Sequence, residues 1–261
     1  MHATSALAVV VVCHDSAGAV GATLEALSAQ LRPGDELVVI DNASRDGTRD
    51  VVRAGAPQAT VVESAENLGF AGGCHVGVRA SRAPLVLLLN PDAVPAPGCL
   101  DALRACAAER PDWGAWQALV TMAGGELVNT AGNVVHYLGF GWAGDIGRPV
   151  ADVDQRPREV GFCSGAALVV RREAWDALGG FDERYFMYLE DTDLSLRAAI
   201  AGLPCWCVGA SVVRHRHAPS VAIPAPVRDT AAVFYAGVQA ARNRGRTDTL
   251  GLRNSRCANG A

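Results

Sequence analysis

The chain has 261 residues, half of them hydrophobic, and a formal net charge of −4. This length and apolar content fit one large α/β domain or two closely joined halves, and the negative charge argues against general binding to nucleic acid. No apolar run approaches the ~18 residues of a membrane span and no signal-peptide pattern is present, so we expect a cytoplasmic protein whose eight cysteines are reduced.

Apolar, β-branched segments alternate with helix-like segments in the first half of the chain. The sequence predicts strands at 7–12, 36–40, 60–63 and 85–89, and helices at 17–30, from a cap at Ser44 or Asp46 to about residue 53, and at 69–80. Ser16 is the expected N-cap of the first helix. The alternation predicts right-handed crossovers and a mostly parallel sheet, in which the strand at 85–89 is buried on both faces.

The second half has a less regular pattern. Pro97 is expected at the first position of a helix that ends near residue 108, and residues 131–160 are expected to form a long loop. An apolar segment follows at 161–170. The remaining predicted strands are 113–121, 126–129, 205–208 and 211–213, and the remaining predicted helices are 172–178, 191–201 and 231–242.

Polar residues follow three of the predicted strands. In chain order they are Asp41, Asn67 with the glycine loop at 69–73, and Asp92. Open α/β sheets bind ligands at the carboxyl ends of their strands, so this series is typical of a nucleotide pocket. Two alternatives stay open: Asp92 as part of a Pro-Asp turn that ends a strand, and the glycine loop as a place of tight helix–strand packing.

A second carboxylate group occurs in Glu190-Asp191-Thr192-Asp193. It falls at the start of a predicted helix, where the helix dipole favours anions. Charge complementarity to the helix is one explanation. The aromatic segment at 185–188 just before it suits instead a carboxylate at the edge of an apolar cleft.

Two common nucleotide-binding motifs are missing. No Gly-x-Gly-x-x-Gly follows the first strand, which argues against a Rossmann dehydrogenase, and the absence of lysine excludes a P-loop. The cysteines also lack zinc-finger spacing.

A series of motifs in a fixed order covers about residues 7–220. After the first strand come DNASRDGT at 41–48, NLGFAGG at 67–73, LNPD at 89–92, GGFDE at 179–183, YLEDTDL at 188–194 and VRH at 213–215. With this series the chain resembles family 2 glycosyltransferases of the GT-A fold, in the bacterial rhamnosyltransferase-like branch. That resemblance implies a twisted sheet flanked by helices, with a nucleotide-binding half fused to an acceptor-binding half.

For the donor, the resemblance implies a nucleotide-diphosphate sugar. Asp41 would recognise the base, and Asn67, Gly69, Gly73 and Asp92 would lie around the nucleotide. The branch favours dTDP-rhamnose, with UDP- and GDP-sugars as alternatives.

The resemblance also implies a divalent metal on the donor diphosphate. Asp92 and His215 would be its ligands, with His217 as a substitute, and oxygen and imidazole ligands suit Mg²⁺ or Mn²⁺. Asn90 stands where the family often has a further carboxylate.

The implied reaction is an inverting transfer of the sugar to a hydroxyl of a glycan, lipid-linked or small-molecule acceptor. Asp191 would be the general base and Glu190 would orient it or the acceptor. Asp193, Tyr188 and Trp175 are candidate acceptor contacts, although core packing is the alternative for Trp175. A non-catalytic nucleotide-sugar or glycan-binding protein of the same fold is the alternative function.

The expected domain covers residues 1–227, with a nucleotide half at about 1–92 and an acceptor half at about 93–227. Residues 228–261 are expected to form a basic helix and tail, with a net charge of +4 against −8 for the rest of the chain. This segment could contact an anionic membrane surface peripherally or remain solvated.

Overall fold

The computed structural model of the chain describes residues 6–136 and 141–216. Its strands are β1 (Leu7–Cys13), β2 (Glu36–Asn42), β3 (Thr60–Ser64), β4 (Leu85–Leu89), β5 (Ala93–Pro95), β6 (Ala115–Thr121), β7 (Val128–Thr130), β8 (Asn133–Val135), β9 (Gly141–Ala143), β10 (Arg158–Val160), β11 (Ala167–Arg171) and β12 (Cys205–His215). Its helices are α1 (Val20–Ser28), α2 (Thr48–Gly55), α3 (Gly69–Arg79), α4 (Cys99–Glu109), α5 (Arg172–Leu178) and α6 (Glu190–Ile200), with 3-10 turns at Val150–Asp152 and Glu183–Tyr185.

A ten-stranded sheet lies at the centre of the described residues, in the order β10-β12-β6-β11-β4-β1-β2-β3, with β5 beside β12 and β7 beside β6. The strands β1 to β4 are parallel, as predicted from the strand–helix alternation. The second half makes the sheet mixed, because β11 runs antiparallel to both β4 and β6. β11 therefore joins the two halves directly beside β4.

The central strands bury both of their faces, as their unbroken apolar sequence predicts. In β4, Leu85, Leu87 and Leu89 face one core cluster, and Val86 and Leu88 face the other. This is the two-residue period of a strand, with helices covering each side. Residues of α1 and α4 pack on the first face and residues of α3, α5 and α6 on the second.

Two predicted helix starts are wrong. Helix α1 begins at Val20, and the Ser16 hydroxyl bonds to the backbone of His14 instead of capping the helix. Helix α4 begins at Cys99, preceded by Gly98 in the left-handed conformation, so Pro97 lies outside it. In α4 a left-handed glycine, and not the predicted proline, precedes the first helical residue.

The predicted long loop at 131–160 is also wrong. Residues 126–135 run antiparallel to residues 141–150, through backbone bonds such as Val150 N to Glu126 O, 2.9 Å, and Ala131 N to Gly144 O, 3.0 Å. We call residues 126–136 and 141–150 the β-arm. Its glycines and turn residues mimic loop composition because they shape a narrow, twisted ribbon.

The two short strands predicted at 205–208 and 211–213 are one strand, β12, with a register shift between Val208 and Val212. The seven cysteines within the described residues are free and buried, as expected for reduced thiols. None of the helices in the described ranges has the length and apolar character needed to cross a bilayer. The predicted helix at 231–242, the basic segment 228–261 and His217 lie outside the described residues.

Candidate active site

The strand-end residues that follow β2 and β3 lie together, and an asparagine that the sequence analysis did not single out connects them. Asn42, at the end of β2, is buried; its Nδ2 donates to Asn67 Oδ1 and to the Gly69 carbonyl, both at 2.9 Å. Its Oδ1 accepts from the backbone N–H of Leu68, also at 2.9 Å. One side chain therefore fixes the entire entry to α3.

Asp41 is buried beside Asn42, with 3% of its surface exposed. Its Oδ1 accepts from the Ser44 N–H at 3.3 Å, and its Oδ2 lies 3.4 Å from the Arg49 guanidinium. A base N–H reaching this carboxylate would meet an acceptor whose orientation is already set by two partners.

The glycine loop makes two close packing contacts, in agreement with the packing alternative. Gly69 has φ +71°, and a Cβ there would lie 2.2 Å from the Phe186 carbonyl oxygen, so only glycine fits this close approach. Gly73 instead packs against β1: a Cβ would lie 2.5 Å from Val12 Cγ1. Both glycines are buried, and the structure gives Gly73 the helix–strand packing role and Gly69 a close contact with the backbone of Phe186.

Asp92 and His215 lie side by side. The Asp92 Oδ1 is 3.1 Å from His215 Nε2, although 123 positions separate them in sequence, because β12 pairs with β5 just after Asp92. Asn90 Nδ2 lies 3.3 Å from the same imidazole nitrogen. The predicted pair of metal ligands is thus brought together.

These residues fit a divalent ion held partly by substrate. The described residues contain no group of three or more His, Cys, Asp or Glu that could hold a metal. Mg²⁺ sites commonly use one or two carboxylates plus phosphate oxygens and waters, so a carboxylate beside an imidazole at a strand end is a suitable donor set.

Asp191 is held by three hydrogen bonds in the first turn of α6. Its Oδ2 accepts from the Gly165 N–H at 2.8 Å, and its Oδ1 accepts from the Thr192 N–H at 2.7 Å and the Thr192 hydroxyl at 3.2 Å. Burial raises the pKa of the Asp191 carboxyl, and these hydrogen bonds oppose the rise because they favour the anion. The result is an oriented carboxylate that is more basic than an exposed one.

Glu190 is more deeply buried, and its Oε2 makes no hydrogen bond. Burial first, and the Asp191 carboxylate second, raise the pKa of Glu190 well above its usual range. We therefore assign the charge of the pair to Asp191 and the proton to Glu190, because the hydrogen-bond donors all point at Asp191.

The backbone that leads into this pair, which we call the catalytic loop (residues 186–189), is strained. Three residues other than glycine have left-handed φ values: Phe186 at 44°, Tyr188 at 71° and Leu189 at 70°. Each such residue costs about 1–3 kcal/mol and persists only where its surroundings fix it. Here the Phe186 carbonyl accepts from the Ala71 N–H at 3.2 Å, so the glycine loop supports the catalytic loop.

The three candidate acceptor contacts lie in different environments. Asp193 pairs with Arg197 at 2.6 Å, and Arg197 also donates to the Leu178 and Gly180 carbonyls. Trp175 is 4% exposed, so it has no face for a sugar; the core-packing alternative is correct. Tyr188 is 41% exposed, so its side chain is accessible from solvent.

Gly165 is a site residue that the sequence analysis missed. It belongs to the turn before β11, and next to it Ala166 accepts a hydrogen bond from the Asn90 N–H at 3.1 Å. One two-residue segment thus contacts both Asp191 and the residue beside the Asp92–His215 pair. No motif marks Gly165, because its role depends on contacts 26 positions away.

Comparison with known proteins identifies the family. Residues 4–228 match the family described as glycosyltransferase like family 2. The chain belongs to this family. It is 30% identical over 238 residues to the N-acetylglucosaminyl-diphospho-decaprenol L-rhamnosyltransferase of Mycobacterium tuberculosis, a match that covers 82% of this chain and 77% of that protein.

Solved structures show the same fold at low sequence identity. GalNAc-T7 with UDP, GalNAc and Mn²⁺ matches with a TM-score of 0.75 and 14% identity over 92% of this chain, which spans about half (48%) of that protein. The mannosyltransferase PcManGT of Pyrobaculum calidifontis with GDP-Man and Mn²⁺ matches with a TM-score of 0.63 and 18% identity, over 94% of this chain and 76% of that one. The GT-A fold expected from the motifs is confirmed, and this family 2 member is a glycosyltransferase.

Proposed function

We propose that this glycosyltransferase transfers a sugar, with dTDP-rhamnose as the favoured donor, to a hydroxyl of a lipid-linked acceptor with inversion. The observation that carries the proposal is the turn at Gly165 and Ala166, which holds the Asp191 carboxylate on one side and Asn90, beside the Asp92–His215 pair, on the other. An in-line displacement needs a general base and a diphosphate-binding pair that are held in fixed positions relative to each other, and this turn connects the two.

In the proposed reaction the acceptor oxygen forms a bond to the anomeric carbon while the bond from that carbon to the diphosphate oxygen breaks. The nucleoside diphosphate leaves with the electron pair, and the acceptor proton passes to Asp191. A raised pKa suits this role, because a general base works best when its pKa lies closer to the working pH. A divalent ion held by Asp92 and His215 would neutralise charge on the departing diphosphate.

The preference for rhamnose and a lipid-linked acceptor comes from the mycobacterial relative, whose name specifies L-rhamnose transfer to a sugar-diphospho-decaprenol. The UDP and GDP-mannose in the two solved structures keep UDP- and GDP-sugars as alternative donors.

The test is transfer by wild type and by Asp191→Asn. With dTDP-rhamnose, Mn²⁺ and an N-acetylglucosaminyl-diphospho-lipid, mass spectrometry should show one added deoxyhexose. Asp191→Asn keeps the shape of the side chain but cannot accept the proton, so kcat should fall about 10²–10⁴-fold while calorimetric nucleotide affinity stays unchanged. Unimpaired turnover in the variant would contradict the base assignment.

Donor choice is tested separately by thermal stabilisation with dTDP, UDP and GDP in the presence of Mn²⁺. A nucleotide at 100 times its Kd stabilises the folded state by about 2.7 kcal/mol, so the true donor nucleotide should separate clearly from the other two. Stabilisation by UDP or GDP alone would replace dTDP in the proposal.

A further inference from the structure

Exposed large apolar side chains occur in two places within the described residues. Four of them are on the β-arm: Leu127, 42% exposed; Val134, 42%; Trp142, 50%; and Ile146, 62%. The fifth is Tyr188, in the loop that leads to Glu190. Such a concentration on one projecting element marks a contact surface.

The geometry of the β-arm places two of these side chains together. Val134 and Trp142 are directly opposite each other in the β8–β9 pairing, and opposed residues present their side chains on the same face. Of the five residues that connect β8 and β9, His136 is described and its ring lies 6.4 Å from that of Trp142; the other four lie outside the described residues and are Tyr-Leu-Gly-Phe in sequence.

The β-arm is attached to the candidate active site. Asn133 and Phe162 exchange backbone hydrogen bonds of 3.0 and 3.3 Å, and Gly141 approaches the Phe162 ring so closely that a Cβ would lie 2.9 Å from it. Three residues after Phe162, Gly165 donates to Asp191. The apolar surface therefore belongs to the same structural unit as the proposed base.

The chemistry of this surface favours lipid over a charged partner. Within the β-arm Glu126, Asp145 and Arg148 are the charged residues, and Asp145 is already paired with Arg148 and Arg158. The surface has no excess of positive charge to attract phosphate groups. A half-exposed Trp beside aliphatic side chains is typical of the membrane–water interface, where the indole has both apolar and polar surroundings.

We propose that the β-arm lies on the surface of the bilayer that carries the acceptor, with Trp142 and Val134 in the interfacial region. This inference rests on the lipid-linked acceptor of the proposed function. An acceptor hydroxyl that is separated from its lipid by one sugar and a diphosphate stays close to the membrane, so an apolar element that is bonded to the segment holding Asp191 is well placed to meet the bilayer. The contact is apolar, and it differs from the electrostatic contact expected of the basic segment at 228–261.

Intrinsic fluorescence provides the test, since Trp142 is the exposed tryptophan of the five: Trp113, Trp116 and Trp175 are buried and Trp206 is half-buried. Full-length protein is mixed with zwitterionic phosphatidylcholine vesicles whose acyl chains are brominated. We expect quenching in wild type, loss of most of that quenching in Trp142→Phe, and little change with added salt. Absence of quenching in wild type, equal quenching in Trp142→Phe, or quenching only when anionic lipid is added would overturn the proposal.

A second variant leaves the fluorophore in place. Ile146→Ser removes the most exposed apolar side chain of the β-arm, and it should weaken vesicle binding several-fold, up to roughly tenfold, without lowering the melting temperature. Vesicle binding equal to that of wild type would contradict the proposed membrane contact of the β-arm. If a short-chain, water-soluble acceptor protects Trp142 from quenching by acrylamide and vesicles do not, then Trp142 binds the sugar and does not contact the membrane.

Turnover separates failure of this inference from failure of the proposed function. With acceptor in vesicles, Ile146→Ser should lower kcat/KM several-fold, and with a short-chain soluble acceptor it should match wild type. Vesicle binding without any transfer would refute the function and leave the membrane contact standing. Equal activity of wild type and variant on both acceptors would refute the membrane contact alone.

Discussion

The two halves of the site handle polar groups in opposite ways. At the ends of β2 and β3, Asn42 and Asn67 bond to each other and to the glycine loop, so that the buried polar groups are satisfied. At the start of α6, Glu190 is buried without a partner for Oε2, beside a backbone in left-handed conformations. The residues at the ends of β2 and β3 are thus built for a fixed shape, and the start of α6 holds a perturbed pair of carboxyl groups.

This contrast shows that the strained backbone before α6 depends on the hydrogen-bonded residues at the ends of β2 and β3. The Phe186 carbonyl accepts from Ala71 and lies against Gly69, so the catalytic loop rests on the loop that Asn42 holds in place. Breaking the hydrogen bonds of the first half should therefore affect chemistry in the second.

The largest effect is expected at the Asp92–His215 pair. Asp92→Ala should weaken Mn²⁺-dependent nucleotide affinity by at least the ~10–100-fold typical of losing even an indirect metal partner, with little change when no metal is added. Isothermal calorimetry with and without Mn²⁺ measures this.

Asn90→Asp is the matched variant, since it restores the carboxylate that relatives often have. It should strengthen Mn²⁺-dependent affinity. Equal affinity of Asp92→Ala and wild type under both conditions would remove Asp92 from the site.

The next effect is expected at the contact between the two loops. Gly69→Ala puts a methyl group 2.2 Å from the Phe186 carbonyl oxygen, so the catalytic loop must shift and kcat should fall by about tenfold or more. Steady-state kinetics measure this.

Gly34→Ala is the control for backbone strain alone. Gly34 also has a left-handed φ, +92°, but nothing lies within 4 Å of the position that the new methyl group would take, so its variant should lose some stability and keep kcat. If both variants lose kcat equally, the loop contact has no part in catalysis.

Asn42→Ala directly tests the hydrogen-bonded residues at the ends of β2 and β3. It leaves the Leu68 N–H and the Gly69 carbonyl without their partner, and it should lower the free energy of unfolding by about 2–4 kcal/mol. Urea denaturation measures the loss, and kcat should fall as well because the catalytic loop loses its support. A stable variant with normal kcat would contradict the proposed dependence of the loop at 186–189 on Asn42.

Glu190→Gln should change stability with the opposite sign. Because burial raises the pKa of Glu190 in the folded state, its neutral form is favoured there, and wild-type stability falls as pH rises above the unfolded-state pKa of about 4.3. The variant should match wild type near pH 4 and exceed it at pH 8, with a difference that grows by at most about 1.4 kcal/mol per pH unit. Parallel stability curves across this range would mean that Glu190 is ionised in the folded protein.

The sequence predicted the strand-end residues well, for a simple physical reason. An uninterrupted apolar run must be buried, so a polar residue directly after it, such as Asp92, marks the edge of the sheet. The pairing of Asp92 with His215 came only from the family resemblance, since no local pattern connects β5 with β12.

The parts that the sequence did not predict depend on tertiary contacts. Trp142 has small, uncharged neighbours in sequence and Trp175 lies among Arg172, Glu173 and Asp176, yet the first is half exposed and the second is 4% exposed. Gly165 resembles any other glycine until the fold brings Asp191 to its N–H. The β-arm has loop composition, and cross-strand pairing alone distinguishes it from a loop.

The turn before β11 also supplies a natural reporter. Four consecutive backbone amides, those of residues 163–166, donate to side-chain oxygens: Ser195 Oγ, Gln117 Oε1, Asp191 Oδ2 and Ser164 Oγ. Elsewhere in the sheet, deuterium uptake measures the opening of backbone pairs. In this turn it reports on the positions of side chains, so we expect the exchange rate of the Gly165 amide to change when a bound ligand moves Asp191 or changes its charge.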